Sequence, residues 1–348
     1  MSIFHKSSPI RIFAVSALAS VGALVAVGLG LGADALFVTV VLAAIEITFS
    51  FDNAIINAKV LEKLAKPWQL LFLTVGIVIA IFGMRVLFPI VIVALTAHLG
   101  WHDVVNLALH HPHEYAHHLE KAHASIAAFG GAFLLMLSLN FFFDDERKVR
   151  WIRRLENWLS RFSHWSVAPL VAVVALITLA RLPANSHGAD TLVAGLLGAG
   201  TYVLLQVVEA LFARLRGEQS STVKQTGVAA LLTLLYLEIL DASFSFDGVI
   251  GAFAVTSDVV LIAIGLGIGA LWARSLTVYM VRRRMLSKYI YVEHGAHYTV
   301  FVLAVVLLLS VMYDIADYIP GVAGLAIIGS SVAASLQAKR STARHATK

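Results

Sequence analysis

Glu46-Ile-Thr-Phe-Ser-Phe-Asp-Asn53 sets two carboxylates inside an apolar run, and Asp241-Ala-Ser-Phe-Ser-Phe-Asp-Gly248 repeats the pattern in the second half of the chain. Aligning Ser50, Phe51 and Asp52 with Ser245, Phe246 and Asp247 puts Glu46 opposite Asp241. Each copy lies in a stretch long enough to cross a bilayer, which takes about 20 mostly apolar residues. A carboxylate at membrane depth is costly, so it marks an ion or substrate path by default. The surrounding sequence agrees. Of 348 residues, 59% are apolar and only 14% charged, the composition of an all-α polytopic membrane protein. The absence of cysteine excludes disulfides and thiolate metal sites, leaving oxygen and imidazole as metal ligands. The net charge of +5 sits in short basic loops between apolar runs, so the partner it implies is a bilayer and not nucleic acid.

Outward from the acid motifs, about ten spans are expected: Ile10–Gly32, Ala35–Ala58, Leu70–Leu95, Ser125–Phe143, Ser166–Leu182, Thr191–Ala213, Thr226–Val255, Val259–Val281, Tyr298–Tyr313 and Gly321–Leu336. The first is too long for a signal segment and is read as a retained helix. Lys and Arg gather in alternate loops: Lys6 and Arg11, then Lys59 to Lys66, Arg147 to Arg161, Arg214 to Lys224, Arg282 to Lys288, and the tail from Lys339. By the positive-inside rule this predicts a multi-pass protein of the cytoplasmic membrane with both termini cytoplasmic. The motifs then fall on the second and seventh helices, which run in opposite senses. Gly76 and Arg85 on the third helix match the spacing of Gly265 and Arg274 on the eighth. The chain therefore reads as an inverted repeat, with residues 1–165 as the first half, 166–338 as the second and 339–348 as a basic tail. Secondary transporters place their substrate site at such a repeat interface.

On a straight helix Glu46, Ser50, Asn53 and Asn57 share one face. Asp52 lies about 9 Å further along the axis and well round the cylinder. Either the helix breaks near Ser50, or the two carboxylates serve different partners. The second copy offers Asp241, Ser245 and Asp247, with Glu238 one turn earlier and Gly248 easing a bend. Four carboxylates brought together need a compensating charge. A divalent cation (Mn²⁺, Ca²⁺ or Mg²⁺) held by Glu46, Asp52, Asn53, Asp241 and Asp247 would supply it. Protons in the empty site would too, which suggests exchange. The competing reading pairs the acids with Arg85 and Arg274 as bundle glue.

The repeated acid pattern resembles the TerC family of integral membrane proteins. Phe129-Gly-Gly-Ala-Phe-Leu-Leu135 looks like that family's Gly-Gly-x-Phe-Leu-Leu segment. Phe51-Asp-Asn53 and Glu293-His-Gly-Ala-His297 look like a larger, poorly characterised TerC-like subgroup, and the likeness covers roughly Ala35 to Ser310. It implies metal-ion homeostasis, notably manganese export, with Glu46, Asp52, Asn53, Asp241 and Asp247 on the family's intramembrane acid positions. Tellurite resistance, for which the family is named, is then an indirect phenotype. The chain departs in Gly248 and in a long His-rich loop.

That loop, 98–123, holds eight of the fourteen histidines on the expected outer side. His113-Glu-Tyr-Ala-His117 matches H-E-x-x-H, and His123 stands where a third zinc ligand would. A metzincin has glycine where this chain has Glu120, so the stretch reads as an interfacial helix or a metal-capturing loop before a zinc peptidase. Glu293, His294 and His297 open the ninth helix as a candidate gate. Residues 144–165 read as an amphipathic cytoplasmic segment. The expected function is transport of a divalent cation, Mn²⁺ first, with no resident cofactor and no catalysis. A non-transporting scaffold or stress component is the alternative. A homo-oligomer is compatible with either.

Overall fold

A computed structural model describes residues 9–215, 224–256, 258–316 and 318–346. The side chains of Ser245 and Asp247 lie outside the described residues, as does Asp317. In chain order the helices are α1 (Pro9–Gly30), α2 (Ala33–Phe49), α3 (Phe51–Leu61), α4 (Lys66–Val78), a π-helix (Ile79–Leu87), α5 (Phe88–Ala97), α6 (Trp101–His110) and α7 (Pro112–Phe143). There follow α8 (Arg153–Leu159), α9 (Val167–Arg181), α10 (Gly188–Leu215), α11 (Gly227–Val255), α12 (Val259–Arg282), α13 (Met285–Lys288), α14 (Val292–Ser310) and α15 (Tyr318–Ala346). Among the described residues there is no strand, only one isolated bridge between Leu64 and Gln225. The protein is an all-α polytopic membrane protein.

Among the described residues, eight helices are long and apolar enough to cross a membrane, and two bent pairs bring the number to ten if each is one span. These ten match the ten expected spans one for one. The bent pairs are α2 with α3, at 50°, and the α8 segment with α9, at 95°. At 15 residues α9 is about 22 Å long, short of the hydrocarbon thickness by itself.

The chain forms two compact units. One holds the described residues of Met1–Ile126 and Thr222–Arg283, the other those of Ala127–Ser221 and Arg284–Lys348. They interleave along the chain and do not follow the 1–165 and 166–338 division. The first unit is arranged around α12, which packs on α1, α2, α3, α4 and the π-helix. Its start is set by Asp258, whose carboxylate accepts the N–H groups of Val260 and Leu261 at 2.8 and 3.2 Å. Polar bonds add to the α1 seam: Ser16 and Ser275 hydroxyls lie 2.7 Å apart, and Trp272 donates to Ser20 at 3.0 Å. Such hydroxyls join helices where no hydrophobic force distinguishes helix from lipid. In the second unit α9 packs on α10 and α14 on α15, and Gly131 of α7 lies against Ala304 and Leu308 of α14.

The His-rich stretch is not a loop. It forms α6 and the first turns of α7, because Val104, Ala108, Tyr115, Leu119 and Ala122 supply a buried stripe beneath the exposed histidines. The expected amphipathic segment is helical only from Arg153, with residues 147–150 non-helical.

Candidate functional site

The two acid motifs fold differently. The first breaks at Ser50, whose φ of −83° and ψ of 7° end α2 and begin α3. Asp52 then falls in the first turn of α3, where the helix dipole favours a carboxylate. The second motif runs unbroken through α11, so Gly248 does not interrupt the helix.

Glu46 is buried at 4% exposure and receives Arg85 Nη2 on Oε1 at 2.5 Å, with the Ser50 hydroxyl on the same oxygen at 2.9 Å. Arg85 sits in the π-helix and donates Nη1 to the Ala80 carbonyl at 2.6 Å. Pro89 accounts for the π-helix. It lacks the N–H that would bond the Arg85 carbonyl and its ring crowds that carbonyl, so the preceding turns widen. The Phe88 N–H accordingly bonds the Gly83 carbonyl, five residues back.

Arg274 grips Glu238 with both guanidinium nitrogens, Nη1 to Oε1 and Nη2 to Oε2, each at 3.0 Å. Nη2 also reaches Asp241 Oδ2 at 3.2 Å, and Nη1 the Phe72 carbonyl at 3.2 Å. The Phe72 ring lies under the guanidinium at 4.1 Å. Gly76 makes room for this pair, since a Cβ there would meet Arg274 Nη1 and lie 2.9 Å from Glu238 Oε1. Arg85 Nη1 stands 3.9 Å from Asp241 Oδ2 and ties the two halves together. Asn53 donates its amide to Asp241 Oδ1 at 2.7 Å, while a Cβ at Gly248 would stand 3.2 Å from Glu46 Oε2. Equivalent positions of the two motifs thus face each other's acid.

Three carboxylates and two guanidinium groups therefore form one buried cluster in the first unit. Asp52 is buried and accepts the Asn53 N–H at 2.9 Å, with no counter-cation among the described residues. The amide oxygens of Asn53 and Asn57 are buried without a hydrogen-bond partner. The side chains of Ser245 and Asp247 cannot be placed against this cluster, since they lie outside the described residues. Among the described residues no three His, Cys, Asp or Glu side chains stand ready to hold a metal ion. Arginine nitrogens occupy oxygens of Glu46, Glu238 and Asp241. The sequence pointed to Glu46, Asp241, Glu238 and both arginines. The Phe72 carbonyl carried no sequence signal, and Gly269 none beyond its i+4 spacing from Gly265.

The histidine motif of α7 is exposed, with His117 Nδ1 3.8 Å from Glu120. Glu293, His294 and His297 belong to a separate network in the second unit. Arg147 reaches Glu293 at 3.3 Å, and His294 Nε2 donates to the Val149 carbonyl at 2.9 Å. His294 also lies 3.4 Å from Glu156, whose carboxylate accepts the Trp151 and Ile152 N–H groups and the Tyr298 hydroxyl, each at 3.1 Å. His297 stacks on Phe141 at 3.6 Å. These contacts fasten the segment around Glu156 to the start of α14. Glu156 and Arg147 were not singled out in the sequence, because an acid or arginine in a mixed-charge segment looks solvated.

A model of the family described as "Protein of unknown function (DUF475)" matches residues 51–342. No curated protein and no solved structure matches the chain.

Proposed function

The chain belongs to the DUF475 family, whose description carries no activity, and we propose from its buried charges that it is a divalent cation transporter. The substrate we favour is Mn²⁺, exported across the cytoplasmic membrane by alternating access in exchange for protons, with both termini cytoplasmic. The observation that carries the reading is the charge imbalance beside the break at Ser50: among the described residues, Glu46, Glu238 and Asp241 share only Arg85 and Arg274. Groups this buried are expensive in a membrane unless they serve a path. The unpaired oxygens of Asn53 and Asn57 add neutral donors. Carboxylate and amide oxygens suit Mn²⁺, Ca²⁺ and Mg²⁺ over softer ions. The resemblance of the acid motifs to the TerC family favours manganese among the three.

One observation favours a second reading. Both arginines already bind the acids, as in a scaffold whose charges only hold the bundle. Reconstitution into liposomes separates the two. Mn²⁺ flux under a pH gradient, lost in Asp52→Asn, supports transport. Wild-type protein silent to Mn²⁺, Ca²⁺ and Mg²⁺ leaves the scaffold.

A further inference from the structure

The two arginines of the cluster are not equivalent, and we infer that Arg85 is a tethered counter-cation which the transported ion displaces, while Arg274 stays in place. This rests on the transport reading above. Arg274 is anchored by other elements on every side: both oxygens of Glu238 on α11, the Phe72 carbonyl on α4, and the Phe72 ring beneath it. Withdrawing it would break a bidentate charged pair and three further contacts, the Asp241 bond among them. Arg85 has much less. Its one short bond to another element is to Glu46 at 2.5 Å, and Asp241 at 3.9 Å is beyond hydrogen-bond reach. Its remaining bond is to Ala80, within its own π-helix.

The element that carries Arg85 is itself poised to change register. Ile79–Leu87 is wound as a π-helix between two α-helices. Such stretches are rare and gather at functional sites. Tightening its first turns, ahead of the bond that Pro89 removes, would turn Arg85 about the axis and carry its side chain off the acids.

Charge counting sets the valence. Among the described residues, the carboxylates paired with the arginines number three against two guanidinium groups, one negative charge in excess, with Asp52 outside that pairing. Exchanging the single charge of Arg85 for a divalent ion removes the excess, whereas a monovalent ion leaves it. Withdrawal of Arg85 frees Glu46 Oε1, while Asp241 keeps Arg274 on Oδ2 and the Asn53 amide on Oδ1. The Ser50 hydroxyl is already on Glu46, and the buried Asn53 amide on Asp241 keeps its own oxygen unpartnered. That set is the Glu46 carboxylate and an Asp241 carboxylate shared with Arg274, with neutral oxygens beside them, all hard ligands.

Equilibrium Mn²⁺ binding to the full chain tests this, with flux measured alongside. Removing the competitor in Arg85→Gln should tighten binding by about tenfold and slow flux. Arg85→Lys keeps a competing charge and should bind near the wild-type affinity. Arg274→Gln should lose binding. A purely structural Arg85 predicts the opposite sign, weaker binding in Arg85→Gln. Wild-type binding with unchanged or weakened affinity in Arg85→Gln overturns the role given to Arg85 alone. Wild-type protein that binds none of Mn²⁺, Ca²⁺ and Mg²⁺ overturns the transport reading and this inference with it. Hydrogen exchange needs no variant: Mn²⁺ should alter exchange in residues 79–87 of the wild type and leave the helix around Arg274 unchanged. An unchanged 79–87 stretch overturns the inference.

Discussion

Gly269 has no side chain, yet it decides where Glu46 can sit. A Cβ at Gly269 would fall on Cβ and Cγ of Glu46. Gly269→Ala should therefore push α2 from α12 or turn Glu46 away from Arg85. Overpacking of this kind costs roughly 1–3 kcal/mol. Thermal unfolding should show the loss, and Mn²⁺ flux should fall with it. Gly200 meets nothing within 4 Å, so Gly200→Ala should leave flux alone and raise stability by roughly 0.5–1 kcal/mol. Equal behaviour of the two variants would remove the packing argument. Within the charge cluster, Glu238→Gln strips Arg274 of its bidentate partner. Breaking a buried pair costs roughly 3–5 kcal/mol because the remaining charge is stranded. The double variant Glu238→Gln with Arg274→Gln should cost less than the sum of the singles, as unfolding of all three in one detergent would show. The acids and arginines were visible in the sequence because charge is scarce in apolar helices. Which arginine takes which acid was not. Glu238 lies one turn from Asp241, and only the approach of α12 and α4 decides that Arg274 takes both oxygens of the first.

At the scale of elements, apolar runs of spanning length made most helices legible. The geometry of Glu46 and Asp52 also raised the break at Ser50. The sequence offered no such hint for the unbroken second motif, since Gly248 permits a bend without requiring one. The π-helix follows from Pro89, but proline in a spanning helix can as well kink it, and packing chooses. The His-rich stretch left helix and loop both open, and the apolar stripe at helical spacing beneath its histidines decides for helix. The segment around Glu156 is the opposite case, a polar stretch held by one buried carboxylate. Glu156→Ala would leave the Trp151 and Ile152 N–H groups and the Tyr298 hydroxyl without their acceptor. These donors are part-buried, so each left unpaired costs at most about 1–3 kcal/mol. The segment should then release from α14, and limited trypsin digestion should cut after the exposed Arg153 and Arg154 much sooner than in wild type. Unchanged digestion would show that Arg147 and Glu293 hold the segment unaided.

For the whole molecule, hydrogen bonds within the first unit fix a parity that composition leaves open. Ala65 donates to the Gln225 carbonyl at 3.0 Å, and Gln225 to the Lys63 carbonyl at 2.8 Å. These residues must share one side of the membrane, so an even number of crossings separates them. The straight spans between them are Lys66–Ala94, Pro112–Phe143 and Gly188–Val208, an odd number. The bent pair Arg153–Phe162 with Val167–Arg181 must supply one more crossing. A second contact demands the same. Tyr115, at the start of α7, packs on Phe253, near the end of α11, with ring centroids 6.0 Å apart. Without the bent pair these two ends would face opposite sides. The chain has no cysteine, so single-cysteine variants can report the sides directly. Lys66→Cys and Glu146→Cys should react with a membrane-impermeant maleimide in vesicles of one orientation, and Ala184→Cys only in the other. If Ala184→Cys labels together with Glu146→Cys, α9 re-enters on the side it left. The bridge at Gln225 and the Tyr115 packing could not then form in the membrane.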